Sequence, residues 1–437
     1  MTILVSFILF ILFVVSYSRY KRIYCPIVFL NLLFAIILLF GSFGWCNLKT
    51  GNEDAALIVL LGVLFFNVGF YAYNPQNTSP KGYAIKRTDY EINSKLLYVL
   101  IAVLIGFTIA FASIAGALLA SGQSLNTIRA VYFSAETAEA VTGEMKNPII
   151  EYGTVYLYTP IQYLLIALSC IIIVDKDVLS NKPILRKIVI ITTLANIATS
   201  MMTNGGRMIL FNFIVAFASA WLLKNRRFSF KFLNNKTNLL FIFVLVALVS
   251  VANYVTQERS ETEGSDNALR SLYVYFCGCI PNLQLCLNRL PEDNYTYGFV
   301  LISSFVRPIF TGINFIFHTG VPDIFATIDE NLFFANTSND IGGGREYNAF
   351  VTMFFFFYRD MGYIGVVLDS CILGAVFSYL YRRCTYNYRS LVIFLLAMQG
   401  LSIAFIRLQT LSVAYALAFI YAVFLIRRKK KPRLIRE

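Results

Sequence analysis

Nine arginines and two lysines are the cationic groups that this chain can present outside a membrane. They are Arg129, Arg207, Arg259, Arg270, Arg289, Arg307, Arg345, Arg359 and Arg407, with Lys49 and Lys146. They remain from a total of 37 once six basic clusters are set aside. The clusters lie at 18–24, 75–95, 175–187, 224–237, 382–390 and 427–437, and they hold 26 residues, 13 Lys and 13 Arg. Short loops rich in Lys and Arg stay cytoplasmic, which leaves the arginine-dominated set outside. A guanidinium is a planar, permanently charged fork suited to phosphate or carboxylate. Arg129, Arg207, Arg259, Arg345 and Arg407 are the candidates for binding such a group. Glu258, Glu346 and Asp360, the acids nearest to these arginines in sequence, are the candidate general bases.

The rest of the inventory narrows the chemistry. A single histidine, His318, gives no His-rich metal site, and the eight cysteines lack zinc spacing. No glycine-rich phosphate loop and no HExxH helix is present. The expected reaction therefore uses neither metal nor cofactor and acts on a substrate that is already activated, such as a sugar on a lipid pyrophosphate. Its leaving group needs positive charge more than it needs a proton. Cys277, Cys279 and Cys286 are expected to be buried thiols.

These groups must be positioned by membrane helices. Hydrophobic residues make up 58% of the chain, and the mean hydropathy is +0.66. The reading is an all-α, polytopic integral membrane protein, one domain over 1–437, with about eleven spans. They fall at 3–17, 25–46, 55–74, 96–120, 152–174, 188–202, 207–223, 238–255, 363–381, 391–406 and 409–426. The N-terminus is then outside and the basic C-terminus inside, with no cleaved signal peptide. The net charge of +13 favours anionic lipid headgroups, and no nucleic-acid partner is indicated.

Two external loops stand out, 121–151 and 256–362. Within the second, 269–288 is amphipathic, and 297–317, interrupted by Arg307-Pro308, lies in or dips into the outer interface. The aromatic run 348–358 covers about 16 Å as a helix, too little for a hydrocarbon core of about 30 Å. It is expected to be a re-entrant half-helix closed by Arg359-Asp-Met-Gly362. Irregular backbone at membrane depth must be buried or line a wet cavity, which places a cavity near Asn348 and Asp360. Asp369, inside a span, is expected to be functional or paired.

Three patches resemble a known family: Ser124-Leu-Asn-Thr-Ile-Arg129, Thr203-Asn-Gly-Gly-Arg207, and Gly343-Gly-Arg-Glu-Tyr-Asn-Ala-Phe-Val-Thr352 with Tyr358-Arg-Asp-Met-Gly362-Tyr-Ile-Gly365. They look like the Wzy-type polymerases of bacterial O-antigen and capsule repeat units. The paired arginine-to-glycine spacing of some members' external loops is not reproduced. The resemblance implies a glycosyltransferase of the bacterial cytoplasmic membrane with its active site facing outside. It would move a growing glycan from undecaprenyl pyrophosphate to a hydroxyl of an incoming repeat unit. Lipid-linked oligosaccharides and membrane lipids would be its partners, with a chain-length regulator as a further one. A lipid-linked oligosaccharide flippase and an O-antigen ligase-like transferase are the alternatives. The residues also have plainer readings: Arg207 as a hairpin end, Arg407 as an interfacial anchor, and Arg359 with Asp360 as a surface ion pair.

Overall fold

The computed structural model describes residues 1–73, 90–124, 127–128, 131, 148–203, 208–225, 250, 268–290, 294–342, 346–347 and 350–428. The protein is mostly helical. In chain order the elements are α1 Thr2–Tyr20, α2 Pro26–Ser42, α3 Glu53–Tyr73, β1 Tyr90–Ile92, α4 Ser94–Ala120, α5 Thr159–Val174, α6 Pro183–Thr203, α7 Met208–Asn225, α8 Ala268–Cys277, α9 Cys279–Asn288, α10 Ser303–Phe317, α11 Ile324–Ala335, β2 Asn339–Asp340, β3 Glu346–Tyr347, α12 Met353–Arg383, α13 Tyr388–Ser402, α14 Val413–Leu425 and β4 Ile426–Arg428. A short helix, Pro148–Gly153, and a π-helical turn, Thr154–Tyr158, lead into α5.

Among the described residues, six helices are long and apolar enough to cross a membrane: Thr2–Tyr20, Glu53–Tyr73, Ser94–Ala120, Ile150–Val174, Pro183–Thr203 and Met353–Arg383. Four expected spans appear as shorter apolar helices, namely α2, α7, α13 and α14. The expected span 238–255 lies outside the described residues except for Ser250. Helix ends follow local chemistry. Pro26 opens α2, where its missing N–H costs nothing. Glu53 and Asp54 sit in the first turn of α3 against the positive end of the helix dipole. Asn93 caps α4 by accepting from the Leu96 N–H at 3.4 Å.

The chain divides into two compact units. The first comprises Met1–Ser79, Ser265–Arg382 and Ala397–Ala416. There α1, α2 and α3 are joined by a buried amide ladder. Asn31 Nδ2 donates to Ser16 Oγ and to Asn67 Oδ1, both at 3.2 Å, and Asn67 Nδ2 returns a bond to Asn31 Oδ1 at 2.9 Å. Such bonds between membrane helices contribute about 0.6 kcal/mol each on average. Helices α3 and α12 approach at backbone distance. A Cβ placed on Gly69 would lie 1.9 Å from Cys371 O, and one on Gly374 would lie 2.1 Å from Phe66 O.

The second unit comprises Pro80–Gly264, Arg383–Leu396 and Leu417–Glu437. Its centre is a polar knot beside the π-helical turn. Gln162 Nε2 donates to Asn196 Oδ1 at 2.6 Å and to Ser200 Oγ at 2.8 Å, and Asn196 Nδ2 donates to Thr108 Oγ1 at 2.8 Å and to Tyr158 Oη at 3.0 Å. At one end of this unit Lys224 lies 3.5 Å from the buried Asp175, which also accepts from Tyr388 Oη at 3.2 Å. Strand β1 pairs antiparallel with β4, with Glu91 opposite Arg427.

Two expected segments take a more detailed form. The amphipathic stretch 269–288 is two helices, α8 and α9, separated at Gly278. A Cβ there would lie 2.8 Å from the Tyr347 ring and 2.9 Å from Ile341 Cδ1, so the β2–β3 hairpin occupies the space that a side chain would need. The stretch 297–317 is helical only from Ser303. Tyr297 and Gly298 both have positive φ, 45° and 89°, and turn the chain before the helix begins.

The threading predicts which sites an impermeant thiol reagent reaches. In a cysteine-free background, Glu263→Cys and Ser338→Cys should be labelled in intact cells, and Pro432→Cys should be labelled only after lysis. Protection of Ser338→Cys would place residues 318–346 in the cytoplasm and overturn the external position of 256–362.

Candidate functional site

Two interrupted elements of the first unit meet, and the interruptions define the site. The first is α12. Its residues Met361 (φ −153°, ψ 37°) and Gly362 (φ 65°, ψ −143°) leave helical geometry, so Met353–Asp360 is a half-helix set off from the spanning remainder. Gly362 supplies the left-handed φ that other residues resist. Gly365 lets the two parts fold closely, because a Cβ there would lie 2.2 Å from Phe357 O. The expected half-helix therefore exists, five residues later than its expected start. Residues Phe350–Thr352 before it are non-helical. The half-helix enters the bundle, since Phe354 packs on Gly62, near the middle of α3.

The second element is the segment 403–412 between α13 and α14. It is largely non-helical yet buried, with Ile403, Ala404, Phe405, Ile406, Leu408 and Gln409 all at 5% exposure or less. Its carbonyls are used: Ile406 O accepts from the Val351 N–H at 3.0 Å, and Ala404 O from the Met353 N–H at 2.7 Å. This extended pairing anchors the start of the half-helix to the interrupted hairpin. It also meets the requirement that irregular backbone among membrane helices be buried in protein.

A cleft opens at this junction. Met353, Leu373, Phe377 and Leu401 give it an apolar floor, and Arg407, Gln409, Thr410 and Tyr415 give it polar groups. About 30 Å³ of it is open to water-sized groups, enough to admit water. Arg407 is exposed, and its Nε donates to Gln409 Oε1 at 3.3 Å. Thr410 Oγ1 and Thr352 Oγ1 are buried without a hydrogen-bond partner among the described residues. Thr352 also holds φ at 67°, a strained value for a β-branched residue.

Asp360 sits at the other end of the half-helix, about 10 Å from Met353 along its axis. It is fully buried. One carboxylate oxygen accepts from Thr296 Oγ1 at 2.5 Å and the other from the Gly298 N–H at 2.7 Å. The backbone adds two bonds, from the Thr296 N–H to Arg359 O and from the Tyr297 N–H to Asp360 O. Arg359 is buried as well, and its Nε donates to Asn331 Oδ1 at 2.8 Å. The surface ion pair read from the sequence is therefore not what these neighbours form. Each is buried and holds a different part of the loop. Asp369, expected to be functional or paired, is buried beside Asp360, a second carboxylate.

Glu346 lies in β3, opposite Asp340. The hairpin is tied to the α2–α3 connection. The Lys49 N–H donates to Ile341 O at 2.8 Å, and Lys49 Nζ to Asp340 O at 2.6 Å. Gly342 (φ 123°) lies so close to this connection that a Cβ would stand 2.1 Å from Asn47 O. Tyr347 anchors the other strand through a bond from its hydroxyl to Tyr275 O at 3.0 Å. Beneath, Asn282, Asn339 and Arg289 form a bonded row. Arg129, Arg207, Glu258, Arg259, Arg345 and Asn348 lie outside the described residues.

Cys277, Cys279 and Cys286 are buried free thiols, as expected. Burial pushes Cys277 up to about 12 and Cys286 to about 11, so both stay protonated and unreactive near neutrality. The sequence reading missed Gln409, Thr410 and Thr296. Gln409-Thr410 gave a usable signal, two polar residues inside an apolar run. Thr296 gave none, because its partner is 64 residues away.

No family profile matches the chain, and no curated protein or solved structure matches it either.

Proposed function

We propose that this protein polymerises lipid-linked oligosaccharide repeat units on the outer face of a bacterial cytoplasmic membrane. The growing glycan leaves undecaprenyl pyrophosphate and joins a hydroxyl of an incoming unit. In the step, the bond between the sugar's anomeric carbon and the pyrophosphate oxygen breaks, and a bond to the acceptor oxygen forms. The acceptor proton passes to a carboxylate, and the pyrophosphate departs as an anion. The observation that carries this reading is Arg407, exposed beside a cleft with an apolar floor where the interrupted helix α12 meets the buried segment 403–412. A lipid phosphate presents that combination, a charged group continuous with hydrocarbon. Arg129, Arg207, Arg259 and Arg345 are the further cations for it, and Asn348 is the amide for a sugar hydroxyl. Glu258, Glu346 and Asp360 are the candidate bases. For Asp360 to serve, the turn at Thr296–Gly298 must release its oxygens as the acceptor arrives.

Purified protein with a synthetic lipid-linked repeat unit tests this. Arg407→Ala removes a charge-assisted contact of about 1.5–3 kcal/mol, so extension should fall roughly ten- to hundredfold. Arg407→Lys should fall nearly as far, because it keeps the charge but loses the fork. A full ladder from Arg407→Ala would reduce the residue to an interfacial anchor. Cells lacking the protein separate the alternatives: single repeat units on the acceptor indicate a lost polymerase, and a bare acceptor indicates a lost ligase or flippase.

A further inference from the structure

Helix α10 is arranged inside out for water. Ile302 before it and Phe305, Ile309, Ile313 and Ile316 along it recur at helical spacing and are all exposed, Ile309 by 60% and Ile316 by 66%. Arg307 and Asn314, on the opposite side, bond to the protein's own groups. Arg307 makes a two-pronged bond to Asp329 of α11, each prong 2.6 Å. Asn314 Oδ1 accepts from the Gly320 N–H at 2.8 Å. Phe310 packs against Phe325 of α11, the two rings tilted with centroids 5.8 Å apart. A helix that turns its polar face to protein and an apolar stripe outward has hydrocarbon as its outer solvent.

The depth of this stripe follows from α12. Arg382 and Arg383 end that helix, and from Tyr363 to Arg383 it covers about 30 Å, the thickness of a hydrocarbon core. The break at Met361–Gly362 therefore lies at the opposite boundary from the two arginines. The turn that leads into α10 is fixed to that level by the bonds from Thr296, Tyr297 and Gly298 to Arg359 and Asp360. Tyr297 and Tyr363, exposed by 69% and 45% on either side of the break, are placed as interfacial aromatics are. A further bond from Ser304 Oγ to Thr410 O holds the first turn of α10. The helix covers about 22 Å, too little to cross.

We infer that α10 lies in the plane of the membrane, its Ile302–Phe305–Ile309–Ile313–Ile316 stripe seated among lipid at the boundary between headgroups and acyl chains. With Arg307 neutralised by Asp329, apolar contact alone holds it, so uncharged-surface lipid suffices. The placement stands apart from the proposed glycosyl transfer.

The test uses the full chain carrying Trp45→Phe, Trp221→Phe and Ile316→Trp in phosphatidylcholine nanodiscs. The lipid is brominated either near the glycerol end or near the methyl end of its chains. Bromines near the glycerol end should quench the indole several-fold more than those near the methyl end, and aqueous acrylamide should quench it weakly. Asn314→Trp in the same background should escape the bromines. Ile309→Trp repeats the measurement if the first variant does not fold. Strong acrylamide quenching would put the face in water and overturn the inference. Stronger quenching by the deep bromines would mean that the segment dips instead of lying flat. An indole reached by neither quencher would mean that a protein, a second copy or another chain, covers the stripe.

Discussion

Asp360→Asn is expected to stop glycan extension while the protein folds and inserts normally. The amide is nearly isosteric. Its oxygen can accept from the Gly298 N–H, and its NH2 can donate to Thr296 Oγ1, whose hydroxyl accepts as well as donates. The clamp on 296–298 therefore survives the substitution, whereas the capacity to take a proton is lost. Asp360→Ala removes both. It leaves the buried Thr296 hydroxyl and Gly298 N–H unpaired, at about 1–3 kcal/mol each. Comparing the two variants separates the roles. If Asp360 is a base, both abolish extension, and only the alanine variant loses thermal stability. If it is solely a clamp, Asp360→Asn gives a near-normal ladder and Asp360→Ala a poor one. A near-normal ladder from Asp360→Asn would transfer the proton-accepting role to Glu258 or Glu346.

The second large effect is on assembly. Gly69→Val should yield little or no folded protein, because a Cβ there meets the Cys371 backbone at 1.9 Å. No rotamer relieves a clash between a first side-chain atom and a backbone carbonyl, so α3 and α12 must part. Close approach through small residues is how membrane helices gain packing energy without a hydrophobic driving force between them. Gly106→Val, a glycine whose Cβ would meet nothing within 4 Å, is the control and should fold. Equal yields of monodisperse protein from the two variants would show that α3 and α12 do not pack as described.

The sequence alone determined that this is a helical membrane protein, because long apolar runs have no other stable home and each helix satisfies its own backbone. It also determined that the aromatic run before Gly362 is a half-helix, since too few residues were available to cross and Gly362 permits the break. Burial of the three loop thiols was legible from their apolar setting. Residue spacing did not determine which surfaces meet. That Arg359 and Asp360 are buried apart follows from loop residues Asn331, Thr296 and Gly298, whose distance along the chain carries no signal. The cleft beside Arg407 depends on pairing between 351–353 and 404–406, two segments with no shared pattern. Even the limits of α10 were set by a tertiary contact: the clamp at Asp360 holds Tyr297 and Gly298 in a turn, and the helix can start only beyond it. Local chemistry chose the elements, whereas long-range backbone hydrogen bonds decided where each begins and what it faces.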